Sequence, residues 1–145
     1  LDRIDSNGIE LIIQTMPPFP WHFGGQSYHN LFINPDEIAQ FCIKTGYRIC
    51  LDVSHSHMAC NYYNWSLKDF ISKIWKYCAY LHIVDAVNVD GEGVQIGEGD
   101  VDFVQLSESL NSLMPNTKFI PEIWQGHKQN GTGFWKALEF LEGKI

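Results

Sequence analysis

Ile49-Cys50-Leu51-Asp52-Val53-Ser54-His55-Ser56-His57 is the stretch on which the fold turns. An apolar, partly β-branched run from Ile49 to Val53 has the length and composition of a buried strand. It delivers a carboxylate to the strand end, and two imidazoles follow within five residues. Burying an Asp is costly unless it is hydrogen-bonded or paired with a cation. A capped turn and a metal site are therefore both open at Asp52, and the other strand ends must decide between them.

Gly8 to Thr15 reads as an earlier strand, stopped by Met16-Pro17-Pro18-Phe19-Pro20. The loop Trp21 to Asn30, rich in Gly, His and aromatic residues, has the length of a functional binding loop. Asn34-Pro35-Asp36-Glu37 opens a helix, with a capping residue, a first-turn proline and acids at the positive end of the dipole. Gly46 closes it. Beyond the opening strand, Ser66-Leu67-Lys68-Asp69 resembles a capping box, and Phe70, Ile71, Ile74 and Trp75 continue a helical period. A third strand is expected over Ala79 to Val84 and a Gly-rich loop over Asp90 to Gly99. A helix then runs from about Asp102, a fourth strand over Lys118 to Ile123, and a last helix from Gly131-Thr132 to Gly143.

Four strand–helix units in succession imply parallel strands with helical crossovers, an α/β fold. The 145 residues suffice for one domain with a real core. A complete eight-stranded barrel needs about 250. Two architectures fit: a small open sheet, or residues 1–145 as half of a (β/α)8 barrel. The polar residues closing the four strands favour the half-barrel. Gln14, Asp52, His82 and Glu122 recur at intervals of about one strand–helix unit. Barrel active sites collect side chains from just this end of several strands. Together these four offer carboxylate, imidazole and amide oxygen, donors suited to Mn²⁺, Co²⁺, Mg²⁺ or Zn²⁺.

The bulk composition, 45% apolar and 19% charged, is that of a soluble globular protein. No apolar stretch is long enough for a bilayer, and Leu1-Asp2-Arg3 does not begin a signal peptide. The missing initiator Met leads us to expect a longer polypeptide. A net charge of −7 disfavours a nucleic-acid partner. Cys42, Cys50, Cys60 and Cys78 lack CxxC spacing and read as free thiols of a reducing cytoplasm.

Leu51-Asp52-Val53-Ser54-His55, Leu81-His82-Ile83-Val84-Asp85, Ile96-Gly97-Glu98-Gly99-Asp100-Val101-Asp102-Phe103 and Pro121-Glu122-Ile123 occur in the order seen in the second half of the xylose-isomerase-like barrel superfamily, which the chain resembles. That superfamily includes sugar isomerases and epimerases and the endonuclease IV type of repair enzyme. The resemblance implies the C-terminal half of a TIM barrel, with one divalent metal held by Asp52, His82, Glu122 and the residue at position 14. The epimerase branch has Glu there and uses two glutamates as bases; Gln14 could ligate through its oxygen but cannot accept a proton. Glu122 is then the remaining catalytic carboxylate. His55 matches a substrate-contacting histidine, and either it or His57 is a candidate substitute base. Trp21, Trp124 and His127 would rim the same mouth and contact a sugar. The endonuclease branch also needs an Asp-x-His before the Ile-Gly-Glu-Gly stretch, and Asp90 to Gln95 lacks that histidine.

The leading expectation is a metal-dependent isomerase or epimerase of a sugar or sugar phosphate. The alternative is a degenerate sugar-binding barrel domain; the Glu-Gly-Val-Gln-Ile-Gly-Glu-Gly phrase resembles domains fused to sialic-acid-synthase-like enzymes. Either way a half-barrel needs a partner, an N-terminal half or another copy, to cover its edges.

Overall fold

The structure, a computed structural model, describes residues 7–19 and 29–145. Four parallel strands form one sheet in the order β1-β2-β3-β6, where β1 is Ile12–Gln14, β2 Arg48–Asp52, β3 Cys78–Ile83 and β6 Lys118–Pro121. Helix α1 (Pro35–Thr45) joins β1 to β2, and α2 (Val53–Tyr63) and α3 (Leu67–Ile74) join β2 to β3. An antiparallel hairpin, β4 (Asp85–Val87) with β5 (Gly91–Val94), precedes α4 (Phe103–Leu113), and α5 (Lys128–Leu141) follows β6. Consecutive strands lie side by side with helices between them, the winding of a barrel rather than of a doubly wound sheet with a reversed strand order.

The caps behave as the sequence requires. Asn34 Oδ1 accepts the backbone N–H of Asp36 at 2.9 Å and of Glu37 at 3.4 Å, and Gly46 takes the left-handed conformation at φ 76° that favours glycine. Ser66 Oγ caps α3 through Asp69 N at 3.3 Å, and Asp102 Oδ1 caps α4 through Val104 N and Gln105 N, both at 3.0 Å. The last helix is regular only from Thr132, because Gln129, Asn130 and Gly131 all have positive φ. The start expected at Gly131-Thr132 is therefore where the regular helix begins.

Helix α2 is absent from the sequence expectation, and the reason is its burial. Val53, Ser54, His55, Ser56, Met58, Ala59 and Cys60 are all buried, so no polar face alternates with an apolar one. The Gly-rich loop after Asp90 likewise contains β5, whose glycines gave no strand signal. The first strand is shorter than expected.

Strand register sorts the sheet into two faces. Ile49, Leu51, Leu81 and Ile83 pack beneath Ile38, Phe70, Ile71, Ile74, Leu106 and Leu110 of the helices. Each such side chain contributes about 1.5–3 kcal/mol by leaving water. The opposite face carries Ile12 and Gln14, Cys50 and Asp52, Tyr80 and His82, and Ile120. At its base Ile12 and Ile120 are exposed. This is the face that a closed barrel turns inward. Among the described residues β1 and β6 each pair on one side only. All four cysteines are free, and no helix of the described residues is long and apolar enough to cross a membrane.

Candidate metal centre

At Asp52 the capped turn is present, and the carboxylate also faces a candidate metal-binding group. Asp52 ends β2 and is also the N-cap of α2: its Oδ1 accepts the His55 backbone N–H at 3.0 Å. Its own N–H donates to Thr15 Oγ1 at 2.9 Å. With the chain fixed from both sides, Oδ2 is held towards the neighbouring strand ends. Gln14 Nε2 donates to it at 2.8 Å, and His82 Nδ1 lies 3.5 Å away. Register makes this inevitable, because Asp52 is paired with His82 across β2 and β3. Glu122 comes one residue after β6, and its Oε2 lies 2.6 Å from His82 Nδ1. Pro121 is tolerated because β6 is at the sheet edge, and Glu122 N continues the ladder to Ile83 O at 3.3 Å.

One ligand atom from each of Asp52, His82 and Glu122 lies within 4.8 Å of the others. Three observations fit a divalent cation among them. Carboxylate and imidazole donors are the set that Mn²⁺, Co²⁺, Mg²⁺ and Zn²⁺ accept. His82 Nδ1 is buried yet has no directed hydrogen-bond partner; the short approach of Glu122 is in distance only. Finally, the potential is strongly negative. The nearby Asp52 carboxylate, then Cys50 and Glu122, outweigh burial and push the His82 imidazole up to about 12. Asp52 is sealed at 1% exposure whereas the Glu122 side chain is 53% exposed, so the group has a closed floor and an open rim.

Beside it lies a cleft of about 480 Å³ lined by Asp52, His55, Glu92, Glu122, Trp124 and His127, among others. His55 spans its wall. Nδ1 donates to Thr15 O at 2.8 Å, and Nε2 makes an ion-pair contact with Glu92 Oε1 at 3.1 Å. Burial alone would lower this imidazole's pKa, but the Glu92 hydrogen bond, the Asp52 charge and the Thr15 carbonyl prevail and raise it to about 9. Both ring nitrogens face acceptors, so the imidazolium is the form that satisfies them.

Of the residues expected at the site, Gln14, Asp52, His55, His82 and Glu122 are brought together, and Trp124 and His127 line the cleft. Gln14 presents its nitrogen, not its oxygen, to Asp52; an amide oxygen against that carboxylate would lose the hydrogen bond. His57 is not brought to the cleft. Its Nε2 is 2.6 Å from Asp100 Oδ1 and 3.0 Å from Asn61 Nδ2, in a separate cavity that includes Lys68 and Asp102. The helix turns it away: two residues along α2 is about 200° from His55. Trp21 lies outside the described residues.

Glu92 escaped the sequence analysis. It arrives on the hairpin, which is anchored by Asp85. The Asp85 carboxylate accepts four backbone N–H groups, from Ala86 (2.9 Å), Gly97 (2.9 Å), Gly99 (3.0 Å) and Val101 (3.1 Å). A Cβ on Gly99 would collide with Ala86 O and Asp85 Oδ1. The motif Ile96-Gly97-Glu98-Gly99 is thus a collar around a buried carboxylate. Its signal was present in the paired glycines downstream of an Asp at a strand end.

No curated protein matches the sequence. Among solved structures, a D-tagatose 3-epimerase-like protein superposes with a TM-score of 0.69 at 20% identity, over 94% of this chain and 47% of its own. D-psicose 3-epimerase from Clostridium cellulolyticum H10, solved with D-tagatose, superposes with a TM-score of 0.63 at 15% identity, over 94% and 48%. The chain therefore spans about half the length of these structures, and the likeness establishes the half-barrel fold. A sequence match extends over residues 1–144, and with the four wound strands it shows that the chain belongs to the xylose isomerase-like TIM barrel family.

Proposed function

We propose that the chain is the C-terminal half of a metal-dependent isomerase or epimerase acting on a sugar or sugar phosphate. The observation that carries this reading is the convergence of Asp52, His82 and Glu122 at three adjacent strand ends, with the buried His82 Nδ1 making no directed hydrogen bond. Asp52, His82 and Glu122 would hold the cation, with Gln14 contributing its oxygen only after an amide flip. A divalent cation there supplies Lewis acidity to a carbonyl oxygen, which acidifies the neighbouring C–H. The chain's own residues do the rest. Glu122, on the open rim, is a base or acid for that carbon, and His55 is a donor to substrate oxygen. Trp124 offers a ring face, and His127 a hydrogen bond, to the polyol. The structural neighbours are by name a D-tagatose 3-epimerase-like protein and a D-psicose 3-epimerase, which makes free ketohexoses the first substrates to try. The free thiols fit a cytoplasmic setting.

The same face requires a second half-barrel against β1 and β6, which we assign to an N-terminal half or to a second copy of this chain.

A second reading, a sugar-binding domain without turnover, is favoured by the Gln14 hydrogen bond to Asp52, which occupies the carboxylate with an amide donor. Metal analysis by plasma emission, combined with proton-exchange assays on ketohexoses and their phosphates, separates the two. Stoichiometric Mn²⁺ or Co²⁺ with turnover supports the isomerase; bound metal and sugar without exchange supports the binding domain; no metal at any concentration refutes the proposed centre.

A further inference from the structure

From the hairpin geometry we infer that Glu92 is a catalytic carboxylate of this site, the proton acceptor that Gln14 cannot be. The inference rests on the isomerase reading and deepens it.

Glu92 lines the cleft with Asp52 and Glu122 but is removed from the metal group by the width of the His55 ring: Oε1 meets His55 Nε2 at 3.1 Å, while His55 Nδ1 lies 3.5 Å from Asp52 Oδ2. That position keeps it out of the cation's coordination and beside the space a substrate bound at the cation would fill. Its Oε1 is engaged by His55 while the Glu92 side chain is 30% exposed, so the carboxylate is held on one side and open to the cleft on the other.

The support is rigid. Gly93 N donates to Ser54 Oγ at 3.3 Å, and Trp124 N donates to Gly93 O at 2.8 Å, tying the residue after Glu92 to both α2 and the loop after β6. Gly93 has φ 73°, and a Cβ there would press on Trp124 Cβ. The Asp85 collar fixes the other end of the hairpin. A mobile surface glutamate needs none of this; a base needs to be held within about 3 Å of the proton it takes.

In the step, the C–H bond next to the carbonyl breaks and its proton forms an O–H bond on Glu92. The bonding electrons become the C=C of an enediolate, and the carbonyl π pair moves onto oxygen. Water in the open cleft then gives a proton to the same carbon on the Glu122 side, and the hydroxide left behind takes the proton from Glu92. The carboxylate is thereby restored, and no oxidant or co-reactant is consumed.

The test is exchange of the substrate C–H with D2O, followed by proton NMR, on the Mn²⁺-loaded protein with its barrel completed as it occurs, using free ketohexoses and their 1- and 6-phosphates. Glu92→Gln should slow exchange by about 10²–10⁴-fold, leaving Mn²⁺ affinity by EPR titration and sugar affinity by Trp fluorescence within about threefold. Because Glu92→Gln could disturb His55, Glu92→Ala is assayed with added formate; partial restoration of exchange by formate supports a proton acceptor and is not expected of a structural prop. Exchange by Glu92→Gln within about threefold of the parent overturns the inference while leaving the isomerase reading intact. Metal binding by the parent without exchange on any sugar tested overturns both.

Discussion

Replacing Gln14 by Glu puts the proposed centre under the sharpest test, because it should shift cation-free and cation-bound stability in opposite directions. Gln14 Nε2 donates to Asp52 Oδ2 at 2.8 Å. In Gln14→Glu a carboxyl oxygen takes the place of that donor with almost no change of shape. If both carboxyls stayed ionised, repulsion over 2.8 Å would be about 6 kcal/mol at an effective dielectric of about 20. Loss of a hydrogen bond to a charged group would add about 1.5–3 kcal/mol. The protein has a cheaper course. Holding a carboxyl of ordinary pKa near 4.3 neutral at pH 7 costs about 4 kcal/mol, and the protonated form donates to Asp52 again. Protonation therefore wins, and the cation-free variant should be about 4 kcal/mol less stable than the parent at pH 7. The deficit should shrink by about 1.4 kcal/mol for each unit towards pH 5.

With a cation present the order reverses. Three carboxylates and His82 then converge on positive charge, and each tenfold gain in metal affinity adds about 1.4 kcal/mol to stability when metal is in excess. Urea unfolding followed by Trp fluorescence, with EDTA or millimolar MnCl2, at pH 7 and pH 5, reads all four corners. Parent-like stability of the variant in EDTA at pH 7, with no larger response to Mn²⁺, would refute the argument that Gln14 and Asp52 share a cation site.

Three further outcomes are expected. Gly99→Ala should lower stability by about 3 kcal/mol in urea unfolding, since its Cβ meets backbone oxygen and the buried Asp85 carboxylate rather than a side chain that can yield. Cys60 and Cys78, whose thiols burial pushes up to about 12 and about 11, should resist iodoacetamide at pH 8 in the folded protein and react once urea is added. Asp100 is held below its ordinary carboxylate value despite its desolvation, by the Asn88 N–H and by His57. A depressed carboxylate contributes stability above its unfolded value of about 3.9 and loses it as pH falls through the folded one; His57→Ala should move the acid limb of unfolding to higher pH by a few tenths of a unit.

What the sequence revealed depended on where burial left a pattern. The α1 and α3 boundaries carried their caps at Asn34, Gly46 and Ser66, and the strands carried apolar runs, so the parallel winding was legible. The polar residues at the strand ends were legible because the barrel architecture repeats them at one residue per unit. Helix α2 was invisible for the opposite reason. It is enclosed on nearly every side, and its small polar residues, Ser54 and Ser56, bond to Gly93 N and Thr15 Oγ1 rather than to water. Without α2, His55 and His57 were both candidate bases; with it they point to different cavities. The hairpin was hidden by its glycines, which make β5 possible where Gly91 crowds Val87 and Gly93 crowds Trp124, and Glu92 was hidden with it.

The proposed cation site and the proposed second half-barrel are one problem. Asp52, His82 and Glu122 stand at the upper end of the same sheet face whose lower end exposes Ile12 and Ile120. In a closed barrel that face is a packed core of branched side chains in layers. Covering it would remove apolar surface from water at about 25 cal/mol per Å² and raise the field around the carboxylates by excluding solvent. The cation affinity of this half should therefore rise when the other half binds, and by linkage the cation should tighten the union of the halves by the same factor. The proposed triad needs no residue from a partner to be assembled, since strand register alone aligns Asp52 with His82 and carries Glu122 one residue beyond β6. What the partner would supply is the dry interior that makes three converging polar groups into a strong binding site.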